Sequence, residues 1–92
     1  MKKKVVGVKA TIIEVKDECS LGYKPGDSAL ITQHGVEGRI CIHALYSLLP
    51  AAFAMLYDAE FSWLADTDVK THACPDAAKP VIFKLRKVRE EE

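Results

Sequence analysis

Two short stretches mirror each other in the chain: "CIH" at residues 41–43 and "HAC" at residues 72–74. Thiolate sulfur and imidazole nitrogen are the ligands that zinc takes most readily, and its protein ligands usually come in pairs a few residues apart. A third cysteine, Cys19, lies in the polar stretch "DECSLGYKPGD". Cys19, Cys41 and Cys74, completed by His43, would make a thiolate-rich site for zinc or another thiolate-bound metal. Neither pair has the stronger C-x-x-C spacing. Two residues apart within one helix, Cys41 and His43 would point roughly 160–200° away from each other. They converge only if Cys41 is extended or caps the helix from outside. His72 and Cys74, two apart on a strand, point the same way.

A second chemistry needs no metal. Cys41 stands at the expected start of a helix, where unpaired backbone N–H groups and the helix dipole favour a thiolate. With His43 as a base it would be a nucleophilic or redox-sensing cysteine, but the sequence identifies no partner acid. A third reading is bland: free cysteines are commonly small buried hydrophobes, and histidines commonly sit on the surface or in a hydrogen bond. The glycines and lysine of "GYKPGD" lack the spacing of a phosphate-binding loop. Pro25-Gly26 suits the centre of a type II turn closed by Asp27.

The elements that must position these residues follow from hydrophobic periodicity. "KVVGVKATIIEVK" (4–16) alternates, with Val6, Val8, Ala10 and Ile12 on one side of a strand and Val5, Ile13 and Val15 on the other. "SALIT" (28–32) reads as a second strand and "QHGVEGR" (33–39) as a loop. From Ile40 to Tyr57 no side chain is charged. A helix over about 42–58 fits, with Ile42, Leu45, Leu49, Ala52, Phe53 and Leu56 on its inward face. Pro50 is expected to kink or break it. "AEFSWLADTD" (59–68) is a loop whose Phe61 and Trp63 fold back as a lid. "VKTHAC" (69–74) and "VIFKLRKV" (81–88) are the third and fourth strands, the last with Val81, Phe83 and Leu85 inward. The expected fold is α+β: a four-stranded, mainly antiparallel sheet with one kinked or broken helix packed on it.

The 92 residues suffice for one domain, 1–92. Thirteen basic and thirteen acidic residues balance, which argues against a nucleic-acid partner, since that needs a basic excess on one face. The uncharged run is long enough to cross a bilayer, but it contains Pro50 and His43 and is flanked by strands, so no membrane partner is expected. No signal-peptide pattern opens the chain, and three cysteines do not pair into a disulfide framework; a reducing, cytoplasmic setting is expected. The helix has more apolar surface than one small sheet can cover, which predicts a homodimer.

Three pieces taken together, "CSLGYKPGD", "CIHALYSLLP" and "ACPDAAKPVIFKL", resemble a family of small uncharacterised prokaryotic proteins. Its pattern is a Cys-x-x-Gly-Tyr-Lys-x-Gly-Asp loop, a cysteine before an uncharged helix and a Cys-Pro-Asp turn. The resemblance implies that Cys19, Cys41 and Cys74 belong to the pattern, with Gly22, Lys24, Gly26, Asp27, Pro75 and Asp76. It brings no activity with it. Lys24, Asp27 and Asp76 are its charged members and the candidate groups for a small-molecule ligand. The expected function is a cysteine-cluster module that binds a metal or small ligand. The alternatives are a structural or interaction homodimer with inert cysteines, and an enzyme or sensor using the Cys41 thiolate.

Overall fold

The computed structural model describes residues 3–15, 24–74 and 80–90. Among these described residues, five strands and one helix follow in the order β1 (Val5–Val15), β2 (Ser28–Thr32), β3 (Gly35–Gly38), α1 (Ile42–Leu56), β4 (Val69–Ala73) and β5 (Val81–Arg89). The sheet order is β3-β2-β1-β5-β4, and every neighbouring pair is antiparallel. The α+β class holds, but the sheet has five strands rather than four. The missing one is β3, inside the stretch expected to be a loop.

The reason is the make-up of that hairpin. Thr32 pairs with Gly35, so only Gln33 and His34 form the turn. The turn lacks an Asn-Gly or Asp-Gly pair, the usual signature of so short a connection. Instead, the Thr32 Oγ1 accepts from the His34 N–H at 3.1 Å and donates to the Gly35 carbonyl at 3.4 Å. β3 has no buried residue, so it shows no alternation. Gly38 lies against β2 in a left-handed conformation (φ 99°), and a Cβ there would sit 3.0 Å from the Ser28 carbonyl oxygen.

β1 is the spine, paired with β2 on one side and β5 on the other. Its inward residues are Val5, Val8, Ala10 and Ile12. Val6, expected inward, is exposed, because a register irregularity between Val5 and Gly7 moves the alternation by one residue. A second irregularity between Ile12 and Glu14 leaves Ile13 outside and returns Val15 towards the core. β5 presents Val81, Phe83 and Leu85 inward, as the alternation predicts.

α1 lies across this inner face and is a single helix through Pro50, not two. Proline removes one backbone donor and crowds the carbonyl four residues earlier, at a cost of about 3 kcal/mol. Burial on both sides of it offsets that: Leu48 and Ala52 are fully enclosed. The inward face differs from the expected one. Ala44, Leu48, Ala52 and Met55 are buried against Val8, Ala10, Ile12, Ile31, Val81, Phe83 and Leu85. Ile42, Leu49 and Phe53 point outward. The helix carries two apolar stripes, and the one with alanines at two of its four positions lets the backbone approach the sheet closely.

α1 ends in a Schellman motif. Ala59 N–H donates to the Ala54 carbonyl at 3.0 Å and Asp58 N–H to the Met55 carbonyl at 2.9 Å. Asp58 takes the left-handed position (φ 62°) that glycine usually fills.

Candidate functional site

Cys41 is the N-cap of α1. Its backbone is extended (φ −69°, ψ 147°), and its Sγ accepts from the Ala44 N–H at 3.3 Å. The condition for Cys41 and His43 to converge, an extended Cys41, is met. Even so, His43 is exposed on the first turn, while Cys41 is half-buried against the core. Cys74 follows β4. Its N–H donates to the Val81 carbonyl at 2.9 Å, its Sγ accepts from the Val81 N–H at 3.4 Å, and its side chain packs on the core. Both thiols are free. Cys19 and Asp76 lie outside the described residues, as do Gly22 and Pro75. Among the described residues no group of three or more His, Cys, Asp or Glu is arranged to hold a metal ion.

Lys24 and Asp27 form the expected turn. Asp27 N–H donates to the Lys24 carbonyl at 3.1 Å, and the Lys24 N–H donates to Asp27 Oδ2 at 3.0 Å. Gly26 supplies the positive φ (98°) that a type II turn requires. Two further bonds tie the turn to Ile12: Gly26 N–H to its carbonyl, and its own N–H to the Asp27 carbonyl, both 2.8 Å. Asp27 therefore works within the turn as its closing acceptor.

Two polar arrangements are not legible in the sequence. The first joins the helix to the sheet. Ser47 Oγ donates to the Ala44 carbonyl at 3.0 Å and lies 2.9 Å from His72 Nε2. His72 faces the helix from edge strand β4, paired with Phe83. Burial, with the nearby Lys70 charge as a lesser cause, pushes its pKa below the usual histidine value. A serine hydroxyl against a neutral imidazole is the geometry of a nucleophile and its base. Here the hydroxyl proton is already committed to a helix carbonyl, so the pair acts as a pin between α1 and β4.

The second is an ionic latch beyond the helix C-terminus. The inward alternation of β5 runs on past Leu85 to Lys87 and Arg89, both buried. Lys87 Nζ lies 2.8 Å from Asp58 Oδ1 and 3.7 Å from Asp68 Oδ1. Arg89 engages both carboxylates with two bonds each. It reaches Asp58 at 2.9 and 3.1 Å and Asp68 at 2.7 and 3.1 Å. Its Nη1 also donates to the Lys3 carbonyl at 2.6 Å. Hydrogen bonds from Arg89 and then Lys87 hold the Asp58 carboxyl far below the ordinary carboxylate range. The two aspartates likewise raise the Arg89 pKa. Two cations matched by two carboxylates make a structural clamp. It fixes the helix exit and the start of β4 to β5.

Among the described residues the outward face of α1 has no such partners. Ile42 is 83% exposed, Tyr46 79%, Leu49 40%, Phe53 63% and Tyr57 65%. The Phe53 and Tyr57 rings meet at 5.1 Å. Shallow apolar grooves flank the stripe. One is lined by Ile31, Thr32, Leu49, Phe53, Leu56 and Tyr57, the other by Tyr46, Ser47, Leu49, Pro50 and Phe53. Of the expected lid, Phe61 packs against the core, while Trp63 stays exposed and stacks on Phe61 at 5.1 Å. Among the described residues no helix is long and apolar enough to cross a membrane.

No family model, curated protein or solved structure matches this chain.

Proposed function

We propose that the protein is a small interaction domain whose working surface is the outward face of α1, and that its partner there is an uncharged, apolar helix. The observation that carries this is the stripe of Ile42, Tyr46, Leu49, Phe53 and Tyr57, all exposed on a helix whose opposite face already fills the core. Single exposed apolar side chains are ordinary, but contiguous patches of this kind mark interaction surfaces. The spacing of four, three and four residues from Ile42 to Phe53 is that of a helix–helix seam. The hairpin, the Ser47–His72 pin and the latch hold the helix in place from behind. Cys41 and Cys74 then serve the fold, one as a helix cap and one as an acceptor at a strand end.

Site-specific photo-crosslinking in the expressing cell tests this. A photoreactive residue at position 53 or 46 should give one discrete adduct, and one at Lys84 on the opposite sheet face should give none. No adduct at 53 or 46, or equal adducts at all three positions, would overturn it.

A second reading keeps one observation in its favour. Cys41 and Cys74, far apart in sequence, are both free, half-buried and packed against the same core cluster. With Cys19 and His43 they would form the thiolate site for zinc or a small ligand. Metal analysis of untagged protein purified without chelator decides it: one equivalent of metal, lost in Cys41→Ser, supports a metal centre, and a metal-free folded protein removes it.

A further inference from the structure

Resting on the interaction reading, we infer that the helix which covers the α1 stripe is α1 of a second copy, packed antiparallel about a two-fold axis that passes between Leu49 and Pro50. Three observations converge on this occupant.

The first is area. Aromatic side chains present about 150–250 Å² each. At these exposures, the five stripe residues would remove on the order of 600 Å² per copy from water. A symmetric pair then buries about 1,200 Å², where specific interfaces begin. One patch used twice, when wholly covered, therefore reaches the lower bound of that range.

The second is charge. Nothing between Ile40 and Tyr57 is charged. A second copy of the same stripe brings no charge to be desolvated and no like-charge contact. The dipoles of two packed helices oppose each other when antiparallel, which favours that orientation over the parallel one.

The third is register. An axis between residues 49 and 50 places Ile42 opposite Tyr57, Tyr46 opposite Phe53, and Leu49 opposite Pro50 of the other copy. Each contact sets a large side chain against a different partner, and the grooves on either side of Leu49 and Phe53 receive the aromatic rings as knobs enter holes. The result is a four-layer body, sheet–helix–helix–sheet, in which both helices are covered on both faces.

The register makes an uncommon test possible. Tyr46→Glu and Phe53→Lys each place charge in the seam, and each position is exposed in one copy, so both variants fold. Sedimentation equilibrium of the full chain from about 1 to 200 µM should show a wild-type dimer. Each variant alone should dissociate at least 100-fold more readily. Mixed one to one, they should form a heterodimer. Only antiparallel pairing sets the introduced lysine of one chain against the introduced glutamate of the other and leaves the native Tyr46 and Phe53 paired on the other side. A wild-type dimer that neither substitution weakens overturns the seam. A dimer weakened by both but not restored by mixing overturns the antiparallel register. A wild-type monomer at 200 µM overturns self-pairing altogether. In that case, crosslinked adducts at residue 53 that are not twice the chain mass leave another helix as partner, whereas no adduct removes the interaction surface as well.

Discussion

Lys87 has the most demanding position of any side chain here. Its ammonium is wholly buried and answered by Asp58 at 2.8 Å, with Asp68 behind at 3.7 Å. Both carboxylates keep one side in solvent, which limits what the latch contributes. Asp58→Asn keeps the left-handed backbone that asparagine tolerates but removes the charge that Lys87 and Arg89 face. A loss of about 1–3 kcal/mol is expected, less than for a fully enclosed pair, read as a lower urea midpoint at unchanged slope. The pH dependence has a definite sign. Asp58 has a depressed pKa in the folded state, so its stabilisation is complete above the ordinary carboxylate value of about 4. It is lost as pH falls below that value, and Asp58→Asn should flatten this acid limb. His72 works in a different window. Its folded pKa is lowered, so the unfolded chain takes up the proton first, and stability falls as pH drops through about 6.5. An NMR titration of the His72 ring should give a midpoint below the ordinary histidine value of about 6.5. Ser47→Ala should cost about 1 kcal/mol by removing the hydroxyl partner.

At the scale of elements, the start of α1 separates a capping cysteine from a reactive one. If Cys41 serves as the N-cap, Cys41→Ser keeps an acceptor for the Ala44 N–H and should stay within about 0.5 kcal/mol of wild type. Cys41→Ala should lose about 1 kcal/mol more. Equal melting of the two variants would argue against the cap. Gly38→Ala should cost more still, about 1–3 kcal/mol, since it combines a left-handed backbone with a Cβ pressed on the Ser28 carbonyl. The strands with alternation are legible in the sequence: β2 matches residue for residue, and β5 shows its inward Val81, Phe83 and Leu85. β3 is not, because an exposed four-residue strand entered through a threonine-stabilised turn carries no periodic signal. The helix is legible, but its inward face is not. Two apolar stripes run along it, and side-chain size alone favours the wrong one. Leu48 and Met55 are the residues that mark the buried stripe. Of the candidate site, only the position of Cys41 before the helix and the Lys24–Asp27 turn can be read locally. The Ser47–His72 pin and the Asp58–Asp68–Lys87–Arg89 latch join residues 21 to 31 positions apart, so only the fold reveals them.

At the scale of the whole molecule, α1 buries one apolar face and exposes the other. The inner stripe holds the domain together, so Leu48→Ala should cost about 2–5 kcal/mol. On the interaction reading the outer stripe drives assembly, so Phe53→Lys should leave the secondary structure intact by circular dichroism while abolishing association. If the assembled form is the dimer, its melting temperature rises with protein concentration by mass action, and that of Phe53→Lys does not. The most direct test is an isotope-filtered NOE experiment on a one-to-one mixture of labelled and unlabelled protein. Antiparallel pairing of the outer stripe predicts intermolecular contacts between Tyr46 and Phe53 and between Ile42 and Tyr57. Intermolecular contacts confined to other surfaces, or none at concentrations of several hundred micromolar, would contradict it.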